Sequence, residues 1–314
     1  METILSIIVP TYNHGNYIKE CLDSILMQKT KYKYEVLVGE DCSTDSTREK
    51  IMEWEKEHPG VFDIQYRDHN MNCEIPNNPT ELTLRAKGKY CIVLEGDDYW
   101  LDENKIETQI EFLENHSDYI GIAHNCIVVD EKSEKIDENY PECKEEEYSF
   151  SHYLSNILPG QTATFMYRNI YKSRLYDSKI LERGLNPGDL MKCFVCLCYG
   201  KIFCLQKVMS SYRHIKNHGS SFSANNKYEF RKELNWNIEL LKFAYESKSR
   251  IAIRTARIKY IHCLFAGLKR KDIALNSFVT MYKANIKKIF PFFDFCIYYV
   301  NGKLLKKNIW MKID

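Results

Sequence analysis

Along the N-terminal part of the chain, compact apolar runs alternate with stretches of helical periodicity. Leu5–Val9 closes at Pro10, Tyr34–Val38 closes at Gly39, Glu40 and Asp41, Phe62–Tyr66 is a third run, and Tyr90–Leu94 lies between Gly88 and Gly96. Short apolar runs bounded by breakers are the pattern of strands covered on both faces. Between them, Ile18, Cys21, Leu22, Ile25 and Leu26 fall at helical spacing to about Gln28. Ser43 or Thr44 caps a second helix that runs to about His58 and stops at Pro59-Gly60. Asn78, Pro79 and Glu81 fit the cap, first-turn and capping-box positions of a third, and Asp102 or Asn104 caps a fourth through Asn115. Strands and helices in strict alternation predict a right-handed, doubly wound, mostly parallel sheet with flanking helices.

Polar groups gather at the predicted carboxyl ends of three strands: Tyr12 and Asn13, then Glu40 and Asp41, then Glu95, Asp97 and Asp98. In an open α/β sheet these ends share one edge, where ligands bind. Three neighbouring carboxylates repel one another and need a cation or a hydrogen-bond network. Hard oxygen ligands suit Mg²⁺ or Mn²⁺ carrying a phosphorylated ligand, whereas the blander reading is an acidic turn ahead of a helix. The first strand–helix turn holds no G-x-G-x-x-G and no G-x-x-x-x-G-K, which disfavours a dinucleotide dehydrogenase and a P-loop enzyme.

Three segments, S-I-I-V-P-T-Y-N at Ser6–Asn13, G-E-D-C-S-T-D at Gly39–Asp45 and G-K-Y-C-I-V-L-E-G-D-D at Gly88–Asp98, resemble in order and spacing the signatures of family 2 glycosyltransferases with the GT-A fold. The resemblance covers roughly residues 4 to 223. It implies that Pro10 and Tyr12 line the base pocket, that Asp41 hydrogen-bonds the nucleobase beside Glu40, and that Asp97 is the main metal ligand with Glu95 and Asp98 around the nucleotide. Three departures stand out: Glu40 replaces an Asp, Cys42 replaces a Gly, and Pro79-Thr80 fall where many members carry Arg-Asn near the diphosphate. Charge neutralisation then leans on the metal or on Arg67, Arg85 or Lys87.

Further on, Asp130–Tyr148 is an acidic stretch that reads as a solvated loop or insertion, and Thr162–Tyr167 alternates as a half-buried strand does. Asn186-Pro187-Gly188-Asp189 opens an apolar helix through Tyr199. The resemblance gives Asp189 the role of general base, and a first-turn carboxylate kept ionised by the helix dipole suits it. Ser211–Ser223 resembles the segment that closes the family's catalytic core: His218 or His214 completes the metal shell, and Arg213 serves the diphosphate.

The chain has 314 residues, 44% hydrophobic and 28% charged, enough for one large domain or two. Its net charge of +1 hides an asymmetry. From residue 224 onward 19 Lys and Arg face 7 Asp and Glu, which leaves 25 against 36 before it. We therefore expect a catalytic domain over 1–223 and a basic, mainly helical C-terminal region over 224–314. Leu234, Ile238, Leu241 and Tyr245, then Ile251, Ile258, Ile261 and Leu264, carry the helical spacing. That region suits a homo-oligomer contact or peripheral contact with an inner membrane face through aromatic residues such as Phe293 and Trp310. No apolar run is long enough to cross a membrane. Twelve scattered cysteines with no signal peptide suggest reduced thiols and a cytoplasmic setting. Cys193, Cys196, Cys198 and Cys204 read as a buried apolar segment and not as a zinc ribbon.

The function expected is an inverting, metal-dependent transfer of a hexosyl or N-acetylhexosaminyl unit from a nucleotide-diphospho sugar, UDP-linked, to a hydroxyl of a glycan or lipid-linked acceptor, with no nucleic-acid partner. Alternative readings are a catalytically silent binding protein of the same fold and a sugar-phosphate nucleotidyltransferase. The latter should carry a Gly- and basic-rich loop after the first strand, which Thr11–Asn16 is not.

Overall fold

The computed structural model describes residues 3–72, 74, 76–172, 188–215, 229–286 and 290–299. The chain falls into two compact units.

The first unit comprises residues 1–148, 158–184 and 200–226. It opens β1 (Leu5–Thr11), α1 (Ile18–Leu26), β2 (Tyr34–Glu40), α2 (Thr47–Glu57), β3 (Asp63–Tyr66), α3 (Asn78–Arg85) and β4 (Tyr90–Val93), as the alternation predicts. β5 (Tyr99–Trp100), α4 (Lys105–Asn115), β6 (Tyr119–Val129), β7 (Glu147–Tyr148), β8 (Met166–Arg168) and β9 (Lys201–Arg213) follow in this unit. Among the described residues nine strands form one sheet in the order β3-β2-β1-β4-β8-β6-β9-β5, with β7 on β9. The first four are parallel; β8 runs antiparallel to β4 and β6, β6 and β9 are parallel, and β5 and β7 run antiparallel to β9. The sheet is thus parallel in its first half and mixed beyond β4.

Every residue of β4, and all of β1 except Pro10, is buried, which explains the unbroken apolar runs. On α1, Ile18, Cys21, Leu22 and Ile25 are buried against the sheet at the spacing of one helical face. Trp100 is 1% exposed and donates its indole N–H to the carbonyl of Ala163. The buried Lys105 Nζ lies 4.2 Å from the Trp100 ring and donates to Gln109 Oε1 at 2.6 Å.

Three local expectations shift. α2 begins at Thr47 after Ser46, and not after Ser43 or Thr44, which instead bond Asn13 of the first loop. The cap of α3 is Asn77, whose side chain accepts from the amide of Thr80; Asn78 instead donates to the carbonyl of Gly39 at 2.8 Å. The strand expected from Thr162 begins at Met166, because Thr162–Thr164 form a 3₁₀ turn. Gln161 causes this: its Oε1 accepts from the amide of Ala163, and its carbonyl accepts from Thr164 Oγ1.

The second unit comprises residues 149–157, 185–199 and 227–314. It holds α5 (Phe150–Leu154), α6 (Gly188–Tyr199), α7 (Phe230–Glu246), α8 (Arg250–Arg270), α9 (Leu275–Asn285) and α10 (Phe290–Tyr299). The helix carrying Asp189 therefore packs with the C-terminal helices. Phe194 of α6 meets the rings of Phe150, Tyr153 and Phe243. Cys193 and Cys196 are buried in the same helix, the described cysteines are free, and no metal-holding group of three His, Cys, Asp or Glu occurs among the described residues.

Candidate nucleotide site at the carboxyl edge of the sheet

The parallel register brings the strand ends together. Thr11 pairs with Glu40, and the amide of Asp41 donates to the carbonyl of Thr11 at 3.0 Å. Past β4 the chain keeps to the side of β1, where the amide of Gly96 donates to the carbonyl of Pro10 at 3.2 Å. A Cβ on Gly96 would lie 2.5 Å from Thr11 Oγ1 and 2.9 Å from His14 Nδ1, so only glycine lets the acidic turn come this close.

The first two strand–helix loops are latched to each other. The amide of Asn13 donates to Ser43 Oγ, that of Thr44 to Asn13 Oδ1, and that of Gly15 to Asp45 Oδ2. Asn13 and Cys42 both take the left-handed region at φ 57°. Asn tolerates it, and Cys42 adopts it where the resembling family has glycine.

The three carboxylates after β4 occupy three environments. Glu95 is exposed. Asp97 is half-buried, its side chain 20% exposed, and its Oδ2 lies 3.7 Å from His14 Nε2. Asp98 is buried and accepts from Gln161 Nε2 at 2.7 Å and from the amide of Arg213 at 2.8 Å. Burial, with the charges of Asp97 and Glu95, pushes the Asp98 carboxyl well above the usual range.

Several expectations are corrected by these partners. Asp98 faces inward and fastens the turn, each of its two oxygens engaged by a protein donor. Arg213 has no exposed side-chain surface: Nε donates to the carbonyl of Asp97, Nη1 to that of Asp130, and Nη2 to Glu20 Oε2 and Ser133 Oγ. Its guanidinium, 4.2 Å from the Tyr17 ring, positions the main chain of Asp97 and does not meet a diphosphate. Glu40 is buried, accepts from the amide of Ser43 and from Arg48, and shapes the second loop. Arg85 and Lys87 lie at the opposite, amino edge, where Arg85 pairs with Asp63 and the amide of Lys87 bonds Glu35. Arg67 is at the right edge but is engaged by Glu81 and Asn78.

Pro10 and Tyr12 are half-buried at this edge. Asp41, 6% exposed, accepts from the amide of Met71 at 2.8 Å, and burial raises its carboxyl. His214 Nδ1 lies 2.7 Å from Glu138 Oε2, and His218 lies outside the described residues. In the second unit Asp189 sits in the first turn of α6 and accepts from the amide of Leu190.

Sequence reasoning missed His14 and Gln161. A lone loop histidine two residues beyond Tyr12 gives only a weak signal. Gln161 meets Asp98 across 63 residues, with no local pattern to show it. Asp97 and His14 form a carboxylate-and-imidazole pair that could hold a divalent cation, and Mg²⁺-like cations are carried by one or two carboxylates with phosphate oxygens completing the shell.

Residues 6–175 match the family model described as Glycosyl transferase family 2. An uncharacterised protein of Mycobacterium tuberculosis is 30% identical over 210 residues, which are 67% of this chain and 58% of that protein. The chain thus spans less than two thirds of that relative's length. The putative teichuronic acid biosynthesis glycosyltransferase TuaG of Bacillus subtilis is 32% identical over 116 residues, 37% of this chain and 44% of its own. Among solved structures, S. aureus TarS 1–349 in complex with UDP-GlcNAc superposes with a TM-score of 0.60 at 16% identity, over 85% of this chain and 73% of that one. At that identity the likeness concerns the fold.

Proposed function

This chain belongs to glycosyl transferase family 2, and we propose that it moves a sugar from a nucleotide-diphospho sugar, UDP-linked, to a hydroxyl of a cell-surface glycan or lipid-linked acceptor. The observation that carries the reading is the convergence of Thr11, Asp41 and the Glu95–Asp98 turn at one carboxyl edge, with Asp97 the half-buried carboxylate among them. The UDP-GlcNAc complex of TarS and the TuaG relative support the donor class and the acceptor class.

In this reading Pro10, Tyr12 and Asp41 bind the base, Glu95 faces the ribose side, and Asp97 holds a divalent cation. Bound there, such a cation neutralises charge on the departing diphosphate. Arg213 keeps Asp97 in place through its carbonyl. Asp189 takes the proton of the acceptor hydroxyl, whose oxygen forms the new bond to the anomeric carbon as the bond to the diphosphate breaks on the opposite face. One displacement inverts the anomeric configuration. The transferase region is 1–223.

No described helix is long and apolar enough to cross a membrane. Leu275 and Val279 on α9, and Phe293 and Ile297 on α10, are exposed at one-turn spacing within the basic C-terminal region. They support peripheral contact with an anionic membrane, which sedimentation with anionic and neutral liposomes tests.

The transfer itself is tested by incubating the chain with UDP-hexoses and UDP-N-acetylhexosamines, with Mn²⁺ and candidate polyol-phosphate or glycan acceptors. UDP release that needs metal, gives a product of inverted anomeric configuration by NMR, and is lost in Asp189→Asn while UDP still binds is the expected result. Metal-dependent UDP binding with no turnover on any donor would favour the silent binding protein.

A further inference from the structure

We infer that the His14 imidazole is the second protein ligand of the divalent cation held by Asp97, an assignment that rests on the donor site proposed above. Nε2 of His14 lies 3.7 Å from Asp97 Oδ2, beyond the reach of a hydrogen bond. Two ligands each about 2.1 Å from one ion are roughly 3.0 Å apart when adjacent and about 4.2 Å when opposite. The observed separation falls inside that range, so one ion can touch both.

The other ring nitrogen supplies the second argument. Nδ1 lies 3.2 Å from Thr11 Oγ1. If Nδ1 carries the proton and donates it to Thr11, Nε2 turns its lone pair toward the Asp97 carboxylate. Two lone pairs facing each other repel, and a cation between them removes the conflict. With a proton on Nε2 instead, the ring would face the carboxylate beyond hydrogen-bond distance, within reach of an ion pair only if both nitrogens were protonated. A ligating histidine held by a hydrogen bond at its other nitrogen is the common arrangement at metal sites.

The frame behind the pair is rigid. Thr11 is 2% exposed, and its carbonyl is tied to Asp41. Gly96 fits between Thr11 and His14 with no room for a Cβ. The turn carrying Asp97 is held by the Gly96 amide on the Pro10 carbonyl, and the loop carrying His14 by the amides of Asn13 and Gly15 on Ser43 Oγ and Asp45 Oδ2. His14 is 14% exposed at its side chain, so the pair opens to solvent. Mg²⁺ prefers oxygen ligands, so a nitrogen in the shell biases the site toward Mn²⁺.

The test is pulsed electron paramagnetic resonance on the full chain with Mn²⁺ and UDP, read for the nitrogen coupling of a directly bound imidazole. The coupling is expected in the wild type, absent in His14→Gln and in the smaller His14→Asn, and retained in His218→Gln. Mn²⁺ affinity should fall at least about tenfold in the His14 variants, and about tenfold in Thr11→Val with the coupling kept. Coupling that persists in a folded His14 variant overturns the assignment, as does Mn²⁺ bound with UDP but without any nitrogen coupling; in either case the donor site stands. No Mn²⁺ retained by the chain with UDP overturns the metal-dependent donor site, and this assignment with it.

Discussion

The amide of Arg213 donates to Asp98 Oδ1 at 2.8 Å, joining the end of β9 to the acidic turn after β4 across 115 residues. The same residue's guanidinium reaches back to the carbonyl of Asp97. One acid of the pair is thereby made structural, while its neighbour Asp97 stays half-buried, its side chain 20% exposed.

Asp98→Ala therefore leaves the Arg213 amide and Gln161 Nε2 buried without partners. The expected cost is about 2–5 kcal/mol in urea unfolding, with nucleotide binding lost in step with the fold. Asp97→Ala should unfold at nearly the wild-type midpoint. Equal midpoints for wild type and Asp98→Ala would contradict the assignment.

At Gly96 the constraint is steric. A methyl group meets Thr11 and His14 below 3.0 Å, and the Thr11 side of the clash includes its Cβ, which cannot swing away. Gly96→Ala should lose about 1–3 kcal/mol and weaken Mn²⁺ binding, measured by urea unfolding and metal titration.

Cys42 carries a cost that the chain need not bear. Held at φ 57°, it makes one weak contact from its thiol to the carbonyl of Asp68 at 3.6 Å. Cys42→Gly should gain about 0.5–1 kcal/mol, since the left-handed strain outweighs the added freedom of glycine in the unfolded chain. A destabilised variant would mean that the thiol contact counts for more than the strain.

His124 sets an acid limit. It is 0% exposed, its Nδ1 faces the carbonyl of Asn125, and burial, with the Lys105 charge second, pushes its pKa well below the ordinary 6.5. Well above pH 6.5 both states are neutral there and the residue costs nothing through titration. As pH falls below 6.5 the unfolded chain binds the proton first, so stability drops, by at most about 1.4 kcal/mol per pH unit, until the folded pKa is reached. His124→Leu should flatten that fall between pH 6.5 and 4.5 in thermal unfolding; a parallel curve would assign the acid limit to other groups.

The strands around the site were readable because β1, β2 and β4 are covered on both faces, and burial leaves its mark as unbroken apolar runs. Periodicity says nothing about partners. The antiparallel insertion of β8 between β4 and β6 was therefore not visible, and the turn at Thr162 looked like a strand because its capping Gln161 sits outside the alternation. The same limit applied to the site. The acidic turn was evident as a cluster, but which of its carboxylates turns inward depends on Gln161 and Arg213, distant residues that reach Asp98 through the fold. Arg213 read as a phosphate ligand because a lone arginine shows its charge in the sequence and not its acceptors.

The most direct measurement is calorimetric titration of UDP into the chain with and without Mn²⁺, beside Asp97→Ala at matched stability. The account predicts UDP binding that requires Mn²⁺ in the wild type and disappears in Asp97→Ala. UDP binding that ignores the metal, or that survives unchanged in Asp97→Ala, would contradict it.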